Sequence, residues 1–133
     1  MNIRSFQLGD YIVVSTLFES TLSGASMEET IASFAKHLYC DSDLIIVAQR
    51  SNRVIGVIIG TIHNQQGICY RIAIDENCRN KGVESALMES LVGRFQNRNV
   101  VRVGIMLDEA NVAAMGMYHS LGFTKADFVR QTG

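Results

Sequence analysis

Two rhythms of apolar residues divide this chain. Val13, Val14, Leu17 and Phe18 repeat at helical spacing after Asp10, and Met27, Ile31, Phe34, Ala35 and Leu38 do so again further on. Polar residues that suit a helix start precede each run: Asp10 for the first, and the S-x-x-E capping box of Ser26 and Glu29 for the second. A short β-rich run, residues 2–6, lies ahead of both. The rhythm then changes to runs rich in Val and Ile at residues 44–49, 54–61 and 68–74, joined by Ser51-Asn52-Arg53 and Asn64-Gln65-Gln66-Gly67. Connections that short predict an antiparallel meander.

Helical spacing returns in Val83, Ala86, Leu87, Leu91 and Phe95, one face of a long helix ending near Arg98. Residues 100–107 read as a buried strand and 111–121 as a last helix. Gly122 is placed to stop that helix in a left-handed conformation, and the chain returns as a strand from Phe123. The predicted order is β-α-α-β-β-β-α-β-α-β. A helix between the strands at 68–74 and 100–107 is a crossover, so those strands are expected as parallel neighbours in a largely antiparallel sheet. The expected class is mixed α/β, with helices packed against that sheet.

Composition narrows the picture. A chain of 133 residues suits a single domain, 1–133, that buries about two-thirds of its unfolded surface, and with no proline, repeat or low-complexity tract nothing marks a linker. The formal charge of -1, without long blocks of one sign, argues against nucleic acid or a membrane surface as partner. The longest apolar stretch, residues 54–62, falls short of the ~20 residues of a membrane helix, and the start lacks a signal-peptide pattern, so the expected location is cytoplasmic. Cys40, Cys69 and Cys78 are odd in number and lack metal-ligand spacing, which predicts reduced thiols and no metal site. Cys78 reads either as a thiol activated by the adjacent loop or as a small side chain in a tight turn.

That loop carries the first candidate chemistry. Arg79-Asn80-Lys81-Gly82-Val83-Glu84 runs from strand into helix, where unpaired backbone N–H groups and the helix dipole favour an anion. Gly82 removes a side chain that would block a phosphate, and Arg79 and Lys81 add positive charge. The second candidate is the last helix, where Asn111, Ala114 and Tyr118 share one face at relative positions 0, 3 and 7. A polar anchor, a small residue and a phenol in line suit an extended ligand. A buried tyrosine with a satisfied hydroxyl gives the same pattern.

Together, R-x-x-G-x-x at Arg79 to Glu84 and N-x-x-A-x-x-x-Y-x-x-x-G-F at Asn111 to Phe123 resemble the coenzyme A motifs of the GNAT superfamily of N-acetyltransferases, and the element order matches. The resemblance implies a GNAT-like three-layer fold that transfers an acetyl group from acetyl-CoA to a primary amine of a small molecule or peptide. It implies that the backbone at Ile72, Ala73 and Ile74 pairs with the pantetheine arm, and that amides from Asn80 through Lys81, Gly82 and Val83 to Glu84 hold the pyrophosphate. Asn111 and Ala114 would touch the arm, and Tyr118 would act as general acid toward the departing thiolate.

Departures from that pattern matter. Relatives often carry a carboxylate base in the strand before the glycine loop, and Ile68-Cys69-Tyr70-Arg71-Ile72-Ala73 has none, which leaves Tyr70, His63 and Asp108 as candidates. Glu84 stands where a small residue is usual; its carboxylate either repels the diphosphate or points to solvent and gains from the helix dipole. Asn80 replaces a common Gly and Glu76 a common Pro, without removing an amide. The shortened C-terminal strands leave an exposed sheet edge, from which a homodimer is expected. The competing expectation is a coenzyme A-binding regulatory or interaction module without catalysis.

Overall fold

The computed structural model describes residues 1–79 and 82–130. Its centre is a six-stranded sheet with the strands in sequence order: β1 (Asn2–Ser5), β2 (Ile45–Arg50), β3 (Arg53–His63), β4 (Gln66–Ile74), β5 (Val103–Met106) and β6 (Phe128–Val129). The first four strands pair antiparallel, β5 runs parallel to β4, and β6 runs parallel to β5. The helices are α1 (Tyr11–Thr21), α2 (Gly24–Asp41), α3 (Val83–Asn97), α4 (Glu109–Ala113) and α5 (Met115–Ser120).

Strand alternation sorts the core into two layers. Ile45, Val47, Val57 and Ile59 face Val14 and Phe18 of α1 and Phe34 of α2. Ile46, Ile58 and Cys69 face the other way, toward Leu87, Leu91 and Phe95 of α3 and Tyr118 of α5. The sheet is thus covered on both faces, the three-layer mixed architecture expected from the sequence.

Both hairpins of the meander turn on two residues, Ser51 and Asn52 in one and Asn64 and Gln65 in the other, with φ of 52, 62, 50 and 65°. Paired left-handed residues of this kind match the strand twist and close the tightest hairpins. The strands consequently reach further toward their turns than the hydrophobic runs alone predict.

Several helix and strand starts differ from the sequence reading. Asp10 does not cap α1 with its side chain. Its carboxylate binds both terminal nitrogens of Arg4, at 2.8 and 2.9 Å, and accepts the Gln7 N–H at 2.8 Å. A charged partner from β1 outcompetes the local cap. The Ser26–Glu29 box does not form either, because α2 begins at Gly24, with Ser23 extended ahead of it. Ser26 is buried inside the helix, where its carbonyl accepts the Thr30 hydroxyl at 2.7 Å. Ala35, expected in the apolar stripe, faces solvent, and Phe34 is the buried anchor.

The last helix is two pieces joined at Ala114, whose φ and ψ of -95 and 13° leave the helical region. Gly122, at φ 95°, ends it as expected. The closing strand does not start at Phe123. Asp127 accepts the Thr124 N–H at 2.7 Å and closes a 3-10 turn over Lys125–Asp127, which delays β6 and leaves it two residues long.

Two features of the sheet fix where α3 rests and where a gap opens beside it. Gly56, Gly60 and Gly67 form a seat for α3: a Cβ added there would come within 2.8 Å of Ile74, 2.5 Å of Leu91 and 2.6 Å of Phe95, respectively. Beside that seat the sheet divides. β4 pairs with β3 as far as Ile74, but with β5 only through Gly67, Ile68 and Cys69. A bulge lies at the branch point, since Ile59 sits opposite Arg71 and Gly60 opposite Cys69, leaving Tyr70 as the extra residue.

Candidate active site

The division between β4 and β5 opens into a cleft of about 760 Å³, a size typical of ligand sites. One wall is the edge of β4 at Ile72, Ala73 and Ile74, whose backbone has no neighbouring strand on the β5 side. Ala114, Met117 and Leu121 form the wall opposite.

At one end lies the start of α3. Gly82 has φ 81°, a conformation that side chains disfavour, and its missing Cβ would meet no atom within 4 Å. The first helical bond found in α3 runs from the Ala86 N–H to the Gly82 carbonyl at 3.1 Å, so the amides of Val83, Glu84 and Ser85 precede the ladder. Arg79, Gly82, Glu84 and Ser85 all contribute to the cleft wall. Val83 is fully buried against the Gly56 seat and fixes the start of the helix there. Glu84 is half-buried and lines the cleft, and its carboxylate makes no hydrogen bond or ion pair with a described residue. Asn80 and Lys81 lie outside the described residues.

At the branch point the structure gathers Asn111, Ala114 and Tyr118, as their spacing predicts, despite the break between α4 and α5. The Asn111 amide nitrogen donates to the Tyr70 carbonyl of β4 and the Met106 carbonyl of β5, each at 2.9 Å. It spans the two strands where their own pairing has ceased. The Tyr118 hydroxyl donates to the other end of that amide, Asn111 Oδ1, at 2.9 Å. Asn111 is thus a strut, and it enters the cleft as wall.

Tyr118 lies behind the wall rather than in it, 1% exposed, with its ring edge-on to Phe128. Its hydroxyl is 4.0 Å from the Cys69 sulfur. Burial, reinforced by Cys69, raises the Tyr118 phenol well above its usual value near 10. Burial also pushes the Cys69 thiol up to about 12. Both groups hold their protons at neutral pH.

The three candidate bases are otherwise engaged or remote. The Tyr70 hydroxyl accepts from Ser33 at 3.0 Å, and its ring stacks on His37. Asp108 receives Arg71 on one oxygen at 2.7 Å and the Asn111 N–H on the other at 3.0 Å. His63 lies opposite Gln66 at the far end of β4, about 20 Å of strand from Ile72.

Arg71 escaped the sequence reading as a site residue. It is 2% exposed and forms part of the cleft wall. The available signal was a lone cation in an otherwise uncharged strand segment, since a buried arginine demands partners. Those partners are Asp108, the Thr30 hydroxyl at 3.0 Å and the Tyr70 carbonyl at 2.8 Å. Among the described residues no cluster of His, Cys, Asp and Glu has the makings of a metal site, and no helix is long and apolar enough to cross a membrane.

A mixed sheet that parts beside a glycine-led helix start is the framework of an acyltransferase, and the comparisons with known proteins agree. Residues 13–123 match the Acetyltransferase (GNAT) family, so the chain belongs to that family and is an acyltransferase of GNAT type. An acetyltransferase of Pectobacterium atrosepticum is 26% identical over 129 residues, 97% of this chain and 92% of that protein. Among solved structures, an aminoglycoside 6'-N-acetyltransferase from Acinetobacter haemolyticus superposes with a TM-score of 0.80 at 18% identity, covering 100% of this chain and 97% of the other. A ribosomal-protein-alanine N-acetyltransferase from Brucella melitensis gives 0.72 at 16% identity, with 93% and 85% covered. At those identities the structural likeness speaks for the fold.

Proposed function

We propose that the protein transfers an acetyl group from acetyl-CoA to a primary amine of a small molecule or peptide, by direct attack of the neutral amine on the thioester. The division between β4 and β5 carries this reading, because it leaves a strand edge open beside an anion-binding helix start. Ile72, Ala73 and Ile74 supply backbone groups for the pantetheine arm. The amides of Val83 and Glu84, next to Gly82 and with Arg79 nearby, receive the diphosphate. Bound there, acetyl-CoA supplies an acyl group already activated as a thioester.

The protein's own part is placement and proton handling. The Ile72 N–H steadies negative charge developing on the acyl oxygen. The Tyr118 hydroxyl, buried and protonated, leaves Asn111 Oδ1 and donates its proton to the departing sulfur. Asp108 is bound by two donors and Tyr70 is tied to Ser33, so the amine loses its proton through water rather than directly to either. The neighbours' names refer to an aminoglycoside and to a protein alanine, and both kinds of amine stay within this proposal. The sheet ends at β1 and at the two-residue β6, and we place a homodimer contact on the β6 edge.

A second reading, a coenzyme A-binding module without catalysis, draws on Glu84 in the cleft wall and on the satisfied Tyr118 hydroxyl. Calorimetry with coenzyme A followed by acetyl-CoA turnover over a panel of amines separates the two. Micromolar binding with turnover is the expected result; binding alone selects the second reading, and no binding defeats both. Light scattering that finds only monomer at high protein concentration removes the dimer.

A further inference from the structure

Arg71 has five N–H donors, and three of them have partners. Nε donates to the Thr30 hydroxyl, and Nη1 donates to Asp108 and to the Tyr70 carbonyl. Nη2 has none among the described residues, although it is shut away from water. An unpaired buried donor on a charged group is costly, more so than on a neutral one. Three circumstances say what would relieve it.

The first is place. Nη1 folds back to the carbonyl of the preceding residue, the same carbonyl that the Asn111 strut holds, so the guanidinium lies against the strand at the branch point. Arg71 immediately precedes Ile72 in the cleft wall, and Thr21 and Leu22 at the end of α1 belong to that wall as well. The second is orientation. Arg71 and Tyr70 adjoin the bulge, and the guanidinium lies 4.3 Å over the Tyr70 ring and against Thr30 of α2, on the α1–α2 face of the sheet. The α3 start, with its diphosphate site, packs on the opposite face.

The third is charge. Asp108 already neutralises Arg71 at 2.7 Å. A second carboxylate would leave a net negative charge in a poorly solvated spot, whereas a neutral oxygen satisfies Nη2 without that cost. Plain alkyl amines offer no such oxygen.

We propose that Arg71 Nη2 is a specificity contact for the acceptor, donating to a neutral carbonyl oxygen next to the reacting amine, as in a peptide N-terminus or an α-amino amide. This rests on the acetyl-transfer reading. Arg71 thereby selects the substrate class, and Asp108 acts as the positioning residue that holds the guanidinium in place.

The test uses the full-length protein labelled with nitrogen-15, saturated with coenzyme A and titrated separately with L-alaninamide, L-alanine and isopropylamine. The Arg71 side-chain N–H signals should move saturably with alaninamide, less with alanine and not with isopropylamine. No movement with alaninamide, equal movement with isopropylamine, or the strongest response to alanine overturns the proposal. Coenzyme A itself is followed at the Val83 and Glu84 amides. If those stay still, the acetyl-transfer reading fails and takes this contact with it; if they move while Arg71 does not, only the contact fails. In turnover, Arg71→Lys keeps a cation for Asp108 but lacks the fork, and the preference in kcat/KM for alaninamide over isopropylamine should fall about tenfold or more. An unchanged preference also overturns the assignment.

Discussion

The two ends of β4 obey different rules. From Gly67 to Cys69 the strand is paired on both sides, its glycine pressed under the Phe95 ring, and nothing there is open to a ligand. From Arg71 to Ile74 it is paired only to β3, and what it faces on the other side is a cleft. One bulge residue and one asparagine mark the change. The closed end is made by packing, which apolar residues of suitable volume accomplish, while the open end is made by polar groups that need named partners.

The contrast is broken most severely at Tyr118. Tyr118→Phe removes the hydroxyl and should lower kcat by about 100-fold or more while altering coenzyme A affinity little, as measured by steady-state kinetics and calorimetry. Unchanged kcat in an active enzyme takes the proton-donor role from Tyr118.

Asn111→Ala should come next. It deletes the strut, strands the Met106 carbonyl and the Tyr118 hydroxyl, and leaves the Tyr70 carbonyl to Arg71 alone, at a cost of about 2–4 kcal/mol in urea unfolding. Coenzyme A affinity should drop with it, since the cleft walls lose their tie. A stability within about 0.5 kcal/mol of wild type contradicts the strut.

At the closed end, Gly67→Ala drives a methyl to about 2.6 Å from the Phe95 ring and should cost about 1–3 kcal/mol by overpacking. Coenzyme A affinity measured under folding conditions should hardly change, which sharpens the division of labour along β4. A large loss of affinity with retained stability reverses it.

The smallest effect lies farthest away. Asp10 is held below its usual range chiefly by the hydrogen bond from Arg4, so its carboxylate contributes stability above the unfolded value near 3.8 and loses it as pH falls through the lower folded value. Asp10→Asn should therefore cost about 1 kcal/mol at neutral pH, and the gap between variant and wild type should close in strong acid. A difference that stays constant down through that range argues against the ion pair.

The order of elements was legible in the sequence because it is written in local patterns: period-two runs of Val and Ile, helical stripes ending at Phe95, and turn residues such as Asn52 and Asn64 that accept positive φ. Gly82 was legible for the same reason. Helix starts were less so, because Ser26 and Glu29 offer a good box that loses to an earlier start at Gly24, and Asp10 prefers a cation six residues upstream. Arg71 was invisible as a site residue for a different reason. Its meaning depends on Thr30 and Asp108, 41 and 37 residues away, and on a bulge that no spacing announces.

The glycine seat under α3 has a consequence for recognition. A helix that meets bare backbone at three points along its length, from Val83 to Phe95, sits closer to the sheet than side chains at those points would allow and has little room to rock. Its amino end is aimed before any guest arrives, so little ordering remains to be done when a diphosphate docks, and the affinity of that contact is set by the sheet beneath it as much as by the loop in front.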